Sequence, residues 1–409
     1  MTKWLGVFRK DRVRQFFRVL RTNGLGEAMR RARIHVRALV AGVEPSAVPA
    51  PAGPAPVGPQ RFDFAPVWRD LAQVEAFRIS RAPAVQSGRR SVALIGDLNL
   101  PQCRMYRVDQ SDVPCATAVS VHQYAHYEDV PRCRDILQDA THLVLYRLGR
   151  SDLATMYMYE ARRLRLPVLY DIDDPLFSVP AYETYANMDG LSAAEKEHYV
   201  NEAPLYADVM NMADALSLST PGLMAHASCY CARPSYLRRN FADRETLAAG
   251  AHAMARRRRR AGLTLAVASG SRGHAADLKV VCDDLVAWLA AGKDRHVALL
   301  GHLEREVFPE EVRPQVSTRP FTGYAAYLSH LASADAAIVP LTDDPFNRCK
   351  SSVRVIDAAA AGGPALVSNV GDLGAVVREG ETGHIVSEGG WAAARESVQD
   401  RSAMDEMGR

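Results

Sequence analysis

From about residue 91 the chain alternates short, continuously apolar runs with longer amphipathic ones. Ser91–Gly96, His142–Tyr146, Pro167–Asp171 and Ala215–Ser219 have the length and β-branched or aromatic content of buried strands. A second series follows in Leu263–Ala268, His296–Leu300, Ala336–Pro340 and Pro364–Ser368. Helical stretches separate them, among them Ser151–Arg165, Ala193–Ala213, Ala275–Ala290 and Ser351–Ala361. Apolar strands alternating with helices predict parallel sheets covered on both faces. Two series of similar length predict an α/β chain of two doubly wound, Rossmann-type domains, with the boundary near residues 242–262. Ligands of such folds bind outside the carboxyl ends of the strands, and here also in the cleft between the domains.

Upstream the pattern changes. Val13, Phe16, Phe17 and Leu20 repeat at helical spacing, and after Asn23-Gly24 so do Leu25, Ala28, Met29, Ala32, Val36 and Leu39. Arginines fill the opposite faces. Two readings stand: an amphipathic element on an anionic membrane surface, or a helix packed on the body or a partner. Residues 45–60, rich in Pro, Ala and Gly, form an extended linker with nothing to bury. The expected organisation is a basic helical arm over 1–44, the linker over 45–60, a first domain over 61–242, and a connector over 243–262. A second domain over 263–390 and a terminal helix over 391–409 complete it.

Charge sharpens this division. The 409 residues carry a formal net charge of +3, 48% hydrophobic and 24% charged residues, the balance of a soluble globular protein. The first forty residues hold eleven Lys/Arg against Asp11 and Glu27, a net of +9, which leaves the remainder at −6. A basic arm on an acidic body argues against nucleic acid as partner, since a binder spreads its positive charge over the folded domain. No apolar run approaches the roughly 20 residues of a membrane span, and the N-terminus lacks the h-region of a cleaved signal peptide. Seven scattered cysteines suggest free thiols in a reducing, cytoplasmic compartment.

Two segments carry candidate chemistry. The first, Ser269-Gly270-Ser271-Arg272-Gly273-His274-Ala275-Ala276-Asp277, leaves a strand and opens a helix. Glycine permits close backbone approach, while serine hydroxyls and helix amides would donate to phosphate oxygens; a plain β–α turn with a serine cap is the alternative. It is not the glycine pattern of dinucleotide enzymes, which disfavours a nicotinamide-dependent dehydrogenase. The second runs from Pro340 through Asp343-Asp344-Pro345-Phe346-Asn347-Arg348-Cys349-Lys350-Ser351 to Asp357 and Gly362-Gly363-Pro364. Lys350 and Ser351 are expected to start a helix facing the cleft, Lys350 being a ready partner for a diphosphate. Asp357, two turns on along the same face, would accept from ribose hydroxyls. Asp171, Asp173 and Asp174 permit a cation site, a cleft-lining acceptor site or a satisfied turn before Pro175; the position at a strand end favours the second, so no metal is expected. His122 and His126 are spaced for one helix face but lack a third ligand. Arg256–Arg260 read as a solvated connector, with an anionic surface as the alternative.

The pattern SGSxxHxxD, then PL-x3-PFN-x2-KS and the LVSNVG strand and turn, resembles the C-terminal half of bacterial family-4-type glycosyltransferases. The resemblance covers roughly residues 91–409, is strong over 263–386, and extends loosely to Arg104-Met105-Tyr106-Arg107 and Asp171-Ile172-Asp173-Asp174. It implies the GT-B fold, a nucleotide-diphosphate sugar as co-substrate without a further cofactor, and retention of anomeric configuration. It implies donor contacts from Ser269, Gly270, Ser271, His274, Asp277, Phe346, Asn347, Lys350 and Ser351, with Lys350 and Asp357 in the catalytic centre. Arg104, Tyr106, Arg107, Asp171, Asp173 and Asp174 would face a glycan or lipid-linked acceptor, met at the inner face of the cytoplasmic membrane through the arm. The last stretch, with Trp391, resembles a terminal helix laid back across both domains. Two departures matter: Asp357 is one methylene shorter than the family's glutamate, and Cys349 stands where the first glutamate of the E-x7-E element would be. They motivate the rival reading, a non-catalytic glycan- or nucleotide-binding protein on the same scaffold.

Overall fold

A computed structural model describes residues 90–111, 120–270, 275–387 and 389–408, together with Met29. The arm, the linker, Ser271 and His274 lie outside the described residues.

The first domain is a six-stranded, all-parallel sheet in the order β2-β1-β3-β4-β5-β6. It is built as β1 (Arg90–Gly96), α1 (Pro101–Arg107), β2 (Ser120–His126), α2 (Val130–Gln138), β3 (His142–Tyr146) and α3 (Asp152–Arg163). Then come β4 (Val168–Ile172), α4 (Val179–Thr184), a 3-10 turn at Ala186–Gly190, α5 (Ala193–Met212), β5 (Ala215–Leu218), α6 (Pro221–Ala227) and β6 (Ser235–Leu237). Local chemistry sets the helix starts. Ser151, Ser178, Ser192 and Thr220 each accept a backbone N–H of the following first turn, and Ser192 with Glu195 forms a full capping box. One core cluster, including Ile95, Leu143, Leu145, Tyr170 and Ile172, lies along one face of the sheet, and Leu94 and Tyr146 on the other face form a separate cluster with Val108; burying each such side chain contributes about 1.5–3 kcal/mol.

After α7 (Arg244–Ala255) the second domain follows as β7 (Leu263–Ser269), α8 (Ala275–Ala290), β8 (Arg295–Gly301), β9 (Val316–Arg319), α9 (Tyr324–Ala332), β10 (Ala336–Val339) and α10 (Val353–Ala360). It ends with β11 (Ala365–Ser368), α11 (Leu373–Val376), β12 (Gly383–Val386), α12 (Trp391–Ser397) and α13 (Arg401–Met407). Its parallel sheet runs β12-β11-β10-β7-β8-β9. The order of strands therefore reverses between β1 and β3 in one sheet and between β7 and β10 in the other, and the crevice outside each reversal is where an open α/β sheet binds its ligand. No described helix is long and apolar enough to cross a membrane.

Several expectations need correction. Lys350 and Ser351 do not start a helix: Asn347–Cys349 is a 3-10 turn, Lys350 is extended, and α10 begins at Val353. The backbone there is drawn away by Thr220, which donates to the Cys349 carbonyl, and by the Asp372 amide on the Lys350 carbonyl. His122 and His126 lie on strand β2, where His126 accepts from the Leu98 amide. The connector contains helix α7, packed on the second domain: Ala253 joins its core, and Gly250 touches the Ala360 carbonyl so closely that a Cβ has no room. Within the arginine run, Arg257 and Arg259 pair with Asp405 on α13, at 3.4 and 2.7 Å. Trp391, Val398 and Met404 are buried in the second core, so the terminal helices close that domain rather than run back across the first.

Candidate active site

The two motifs leave β7 and β10, the strands that flank the reversal in the second sheet, and a buried carboxylate ties them together. Asp277, on the first turn of α8, accepts from Asn347 Nδ2 at 3.1 Å, from the Thr342 amide at 3.1 Å and from Asn187 Nδ2 at 2.9 Å. Asn347 also donates to Asp344 Oδ2 and the Thr342 carbonyl, both at 3.0 Å. Asp277 and the Asn347 Nδ2 are thus committed within the protein and hold the two loops in register, while Asn347 Oδ1 is buried without a hydrogen-bond partner among the described residues. Ser269 is buried at the end of β7 and Gly270 beside it is exposed.

The N-terminal amides of α8, the expected anion site, face the first domain. There Asn187 Oδ1 accepts from the amides of Ala276 at 3.0 Å and Asp277 at 3.3 Å. Sequence reasoning missed Asn187; its 3-10 turn has no periodic signature, and only the packing of the two domains brings it here.

Lys350 Nζ donates to Tyr185 Oη at 3.0 Å and lies 5.3 and 5.5 Å from the ring centres of Tyr185 and Phe346. Those rings stack at 4.2 Å and 7°, so Phe346 builds the wall that orients Lys350. Ser351 Oγ accepts from Asn240 Nδ2 at 3.0 Å. Cys349 is buried in the first domain's core cluster and its Sγ donates to the Pro345 carbonyl at 3.3 Å; burial pushes the thiol up to about 12. It is an inert neutral group, with none of the chemistry of the glutamate expected there.

Asp357 sits on α10, 4% exposed. Its Oδ1 accepts from Tyr324 Oη at 2.7 Å and from Tyr106 Oη, which reaches across from the first domain. The two hydroxyls are 3.1 Å apart and the rings are perpendicular, 6.4 Å between centres. Burial raises the Asp357 carboxyl to about 6, against the opposing pull of these tyrosine hydrogen bonds and that of Tyr327. Burial and the neighbouring carboxylate likewise raise Tyr106, so it remains a donor.

The six residues expected on the acceptor side separate into four groups. Arg107 and Asp171 are fully buried and form a bidentate pair at 2.8 and 2.7 Å, completed by Ser217 Oγ on Asp171 at 2.6 Å. Burial works to raise Asp171, and the Arg107 and Arg238 guanidiniums outweigh it and hold the carboxyl below its ordinary range. Asp173 and Asp174 share Arg147, at 2.8 and 3.2 Å. Arg147 itself adopts a left-handed backbone at the end of β3, φ 52°, a position sequence reasoning did not flag. Arg104, the most exposed, donates to Asp109 and Tyr124, and Tyr106 is the partner of Asp357. Each of the three aspartates faces an arginine. Among the described residues no group of three His, Cys, Asp or Glu side chains is placed to hold a metal ion.

Contacts across the cleft are close. Gly222, at the start of α6, abuts the Arg348 carbonyl with no space for a Cβ, Thr220 Oγ1 donates to the Cys349 carbonyl at 2.8 Å, and Arg239 pairs with Asp372. The site is assembled by both domains and shut by its own side chains.

This architecture is that of the GT-B fold. Residues 264–400 match the family model described as "Glycosyl transferases group 1". The second domain is thus similar to the group 1 glycosyltransferases, on a scaffold of the GT-B fold. No curated protein matches the chain. Among solved structures, sucrose-phosphate synthase from Thermosynechococcus elongatus is similar with a TM-score of 0.53 and 14% identity, over 78% of this chain and 92% of that one. A UDP-forming trehalose-phosphate synthase from Burkholderia xenovorans has a TM-score of 0.48 at 9% identity, over 78% and 93%. Anabaena HepE in complex with UDP-glucose has 0.45 at 11%, over 78% and 92%.

Proposed function

We propose that the chain is a nucleotide-sugar glycosyltransferase that moves a sugar to a hydroxyl of a glycan or lipid-linked glycan, with retention and without a required metal ion. The observation that carries this reading is the convergence of the two motifs at the β7/β10 reversal, where Asp277 locks Asn347 and so sets Lys350 at the cleft. In this reading the diphosphate lies against Ser269, Gly270 and the amides of α8, with Lys350 opposing its charge. As the bond from the anomeric carbon to the diphosphate breaks, negative charge grows on the leaving oxygens; a fixed ammonium and helix amides stabilise it without reorganising. The acceptor oxygen then bonds to that carbon, and its proton passes to the leaving phosphate. Asp357 takes the ribose hydroxyls. Domain closure excludes water and limits donor hydrolysis.

The rival reading, a binding protein without catalysis, draws on the same site. Asp357 is enclosed by tyrosines, and Asn187 occupies the helix amides. A panel of nucleotide sugars incubated with cell-envelope extracts separates the two. The enzyme releases free nucleotide diphosphate as sugar is transferred; binding without release across the panel overturns the enzymatic reading. Lys350→Ala is expected to weaken nucleotide-diphosphate binding at least tenfold, the loss of one charge-assisted contact, with an unchanged circular dichroism spectrum. Unaltered affinity by calorimetry removes Lys350 from the site.

A further inference from the structure

Tyr106 and Asp357 meet in a way that neither motif explains. The residue belongs to α1, just past the end of β1, where the first sheet reverses its strand order. Adjacent side chains on a helix diverge by about 100°. Arg107 turns into the first domain's core, onto Asp171, while Tyr106 points out of it, into the second domain. Tyr106 is 4% exposed, and its hydroxyl ends on the same carboxylate oxygen that Tyr324 holds from within the second domain. With two hydroxyls on Oδ1 and the residue buried, no ligand hydroxyl can add to this oxygen; it must replace one already there. Tyr324 sits on α9, in the same domain as Asp357, and Tyr106 on α1 in the other, so a parting of the domains would separate Tyr106, and not Tyr324, from the carboxylate.

We propose that Tyr106 is a gate on Asp357. Its hydroxyl occupies the acceptor oxygen in the closed, empty cleft and is exchanged for the vicinal diol of a ribonucleotide when a donor enters. The inference rests on the reading of Asp357 as the ribose acceptor. Tyr106 acts through Asp357 and is a positioning residue. It sets how much affinity the diol contributes, because each ribose hydrogen bond is made at the expense of one that the protein already has.

The test is calorimetry of UDP, GDP and ADP, each against its 2′,3′-dideoxy counterpart, on the intact chain and on Tyr106→Phe. Phenylalanine keeps the ring and removes only the competing hydroxyl. The expected result is a gain in affinity on the order of fivefold for the preferred ribonucleotide, with its dideoxy counterpart changed by less than about twofold. Tyr324→Phe, which removes the hydroxyl that does not leave, gives no diol-specific gain. A purely structural Tyr106 shifts both nucleotides together or neither, and either outcome overturns the gate while leaving nucleotide binding standing. Failure of the intact chain and the variant alike to bind any of the six nucleotides overturns the nucleotide reading, and the gate with it.

Discussion

Arg107 sits at zero exposure against Asp171, so its charge is tolerable only while that carboxylate faces it. Arg107→Ala leaves the buried Asp171 only the more distant Arg238, at 3.7 Å, and is expected to cost about 3 kcal/mol in urea unfolding. A double replacement by Met and Leu, which removes both charges, is expected to recover most of that loss; equal damage from the single and the double variant contradicts the pairing. Asp357 behaves differently because its burial is not balanced by a cation. Its folded-state value of about 6 lies above the ordinary 3.8, so ionising it works against the fold. The stabilisation from the neutral carboxyl is complete below pH ~3.8 and is lost as pH rises through 6. A difference of about two units corresponds to roughly 3 kcal/mol. Asp357→Asn cannot ionise, so its stability relative to the parent chain is expected to climb by about that amount between pH 4 and pH 7. Parallel pH profiles for the two proteins contradict it.

At the scale of elements, α6 couples the domains through one hydroxyl. Thr220 Oγ1 accepts the Leu223 amide at 3.0 Å, which caps the helix, and donates to the Cys349 carbonyl at 2.8 Å in the second motif. Thr220→Val preserves shape and loses both bonds, with an expected cost of about 1–2 kcal/mol. Thr220→Ser restores them and is expected to recover most of the stability; if serine fares no better than valine, the hydroxyl is not what matters. Such junctions mark the limit of what a sequence makes legible. The eight buried strands and the alternation that defines two sheets stood out because a core strand is continuously apolar. The four edge strands β2, β6, β9 and β12 were silent; in β6 and β9, Tyr236, Leu237 and Arg319 face solvent and carry no such pattern. The motif residues after β7 and β10 were visible through their Gly, Ser, Asn and Lys chemistry. Asn187, Tyr185 and Tyr324 were not: each is ordinary in its own element, and Asn187 and Tyr185 gain a role only from the packing of one domain on the other, Tyr324 from the packing of α9 on α10. The helix start expected at Lys350 misplaced the register for the same reason, because the bonds that hold that backbone extended come from Thr220 and Asp372, far away in sequence.

For the whole molecule the informative quantity is how charge is divided, not its sum of +3. A body at −6 is repelled by an anionic bilayer. The first forty residues, at +9, supply the opposite sign. Each basic side chain near an anionic surface contributes about 1 kcal/mol, so an excess of this size would be ample for reversible attachment. If the acceptor is lipid-linked, attachment places the cleft where the acceptor is. The full chain is therefore expected to bind vesicles containing anionic lipid in sedimentation assays. That binding should fall steeply as salt rises from about 0.1 to 0.5 M, because exposed charges are screened over a shortening distance. A chain lacking residues 1–44 should stay in the supernatant while turning over a water-soluble acceptor at the parent rate. If the shortened chain still sediments with the vesicles, attachment lies in the body and the arm's charge serves a partner protein instead.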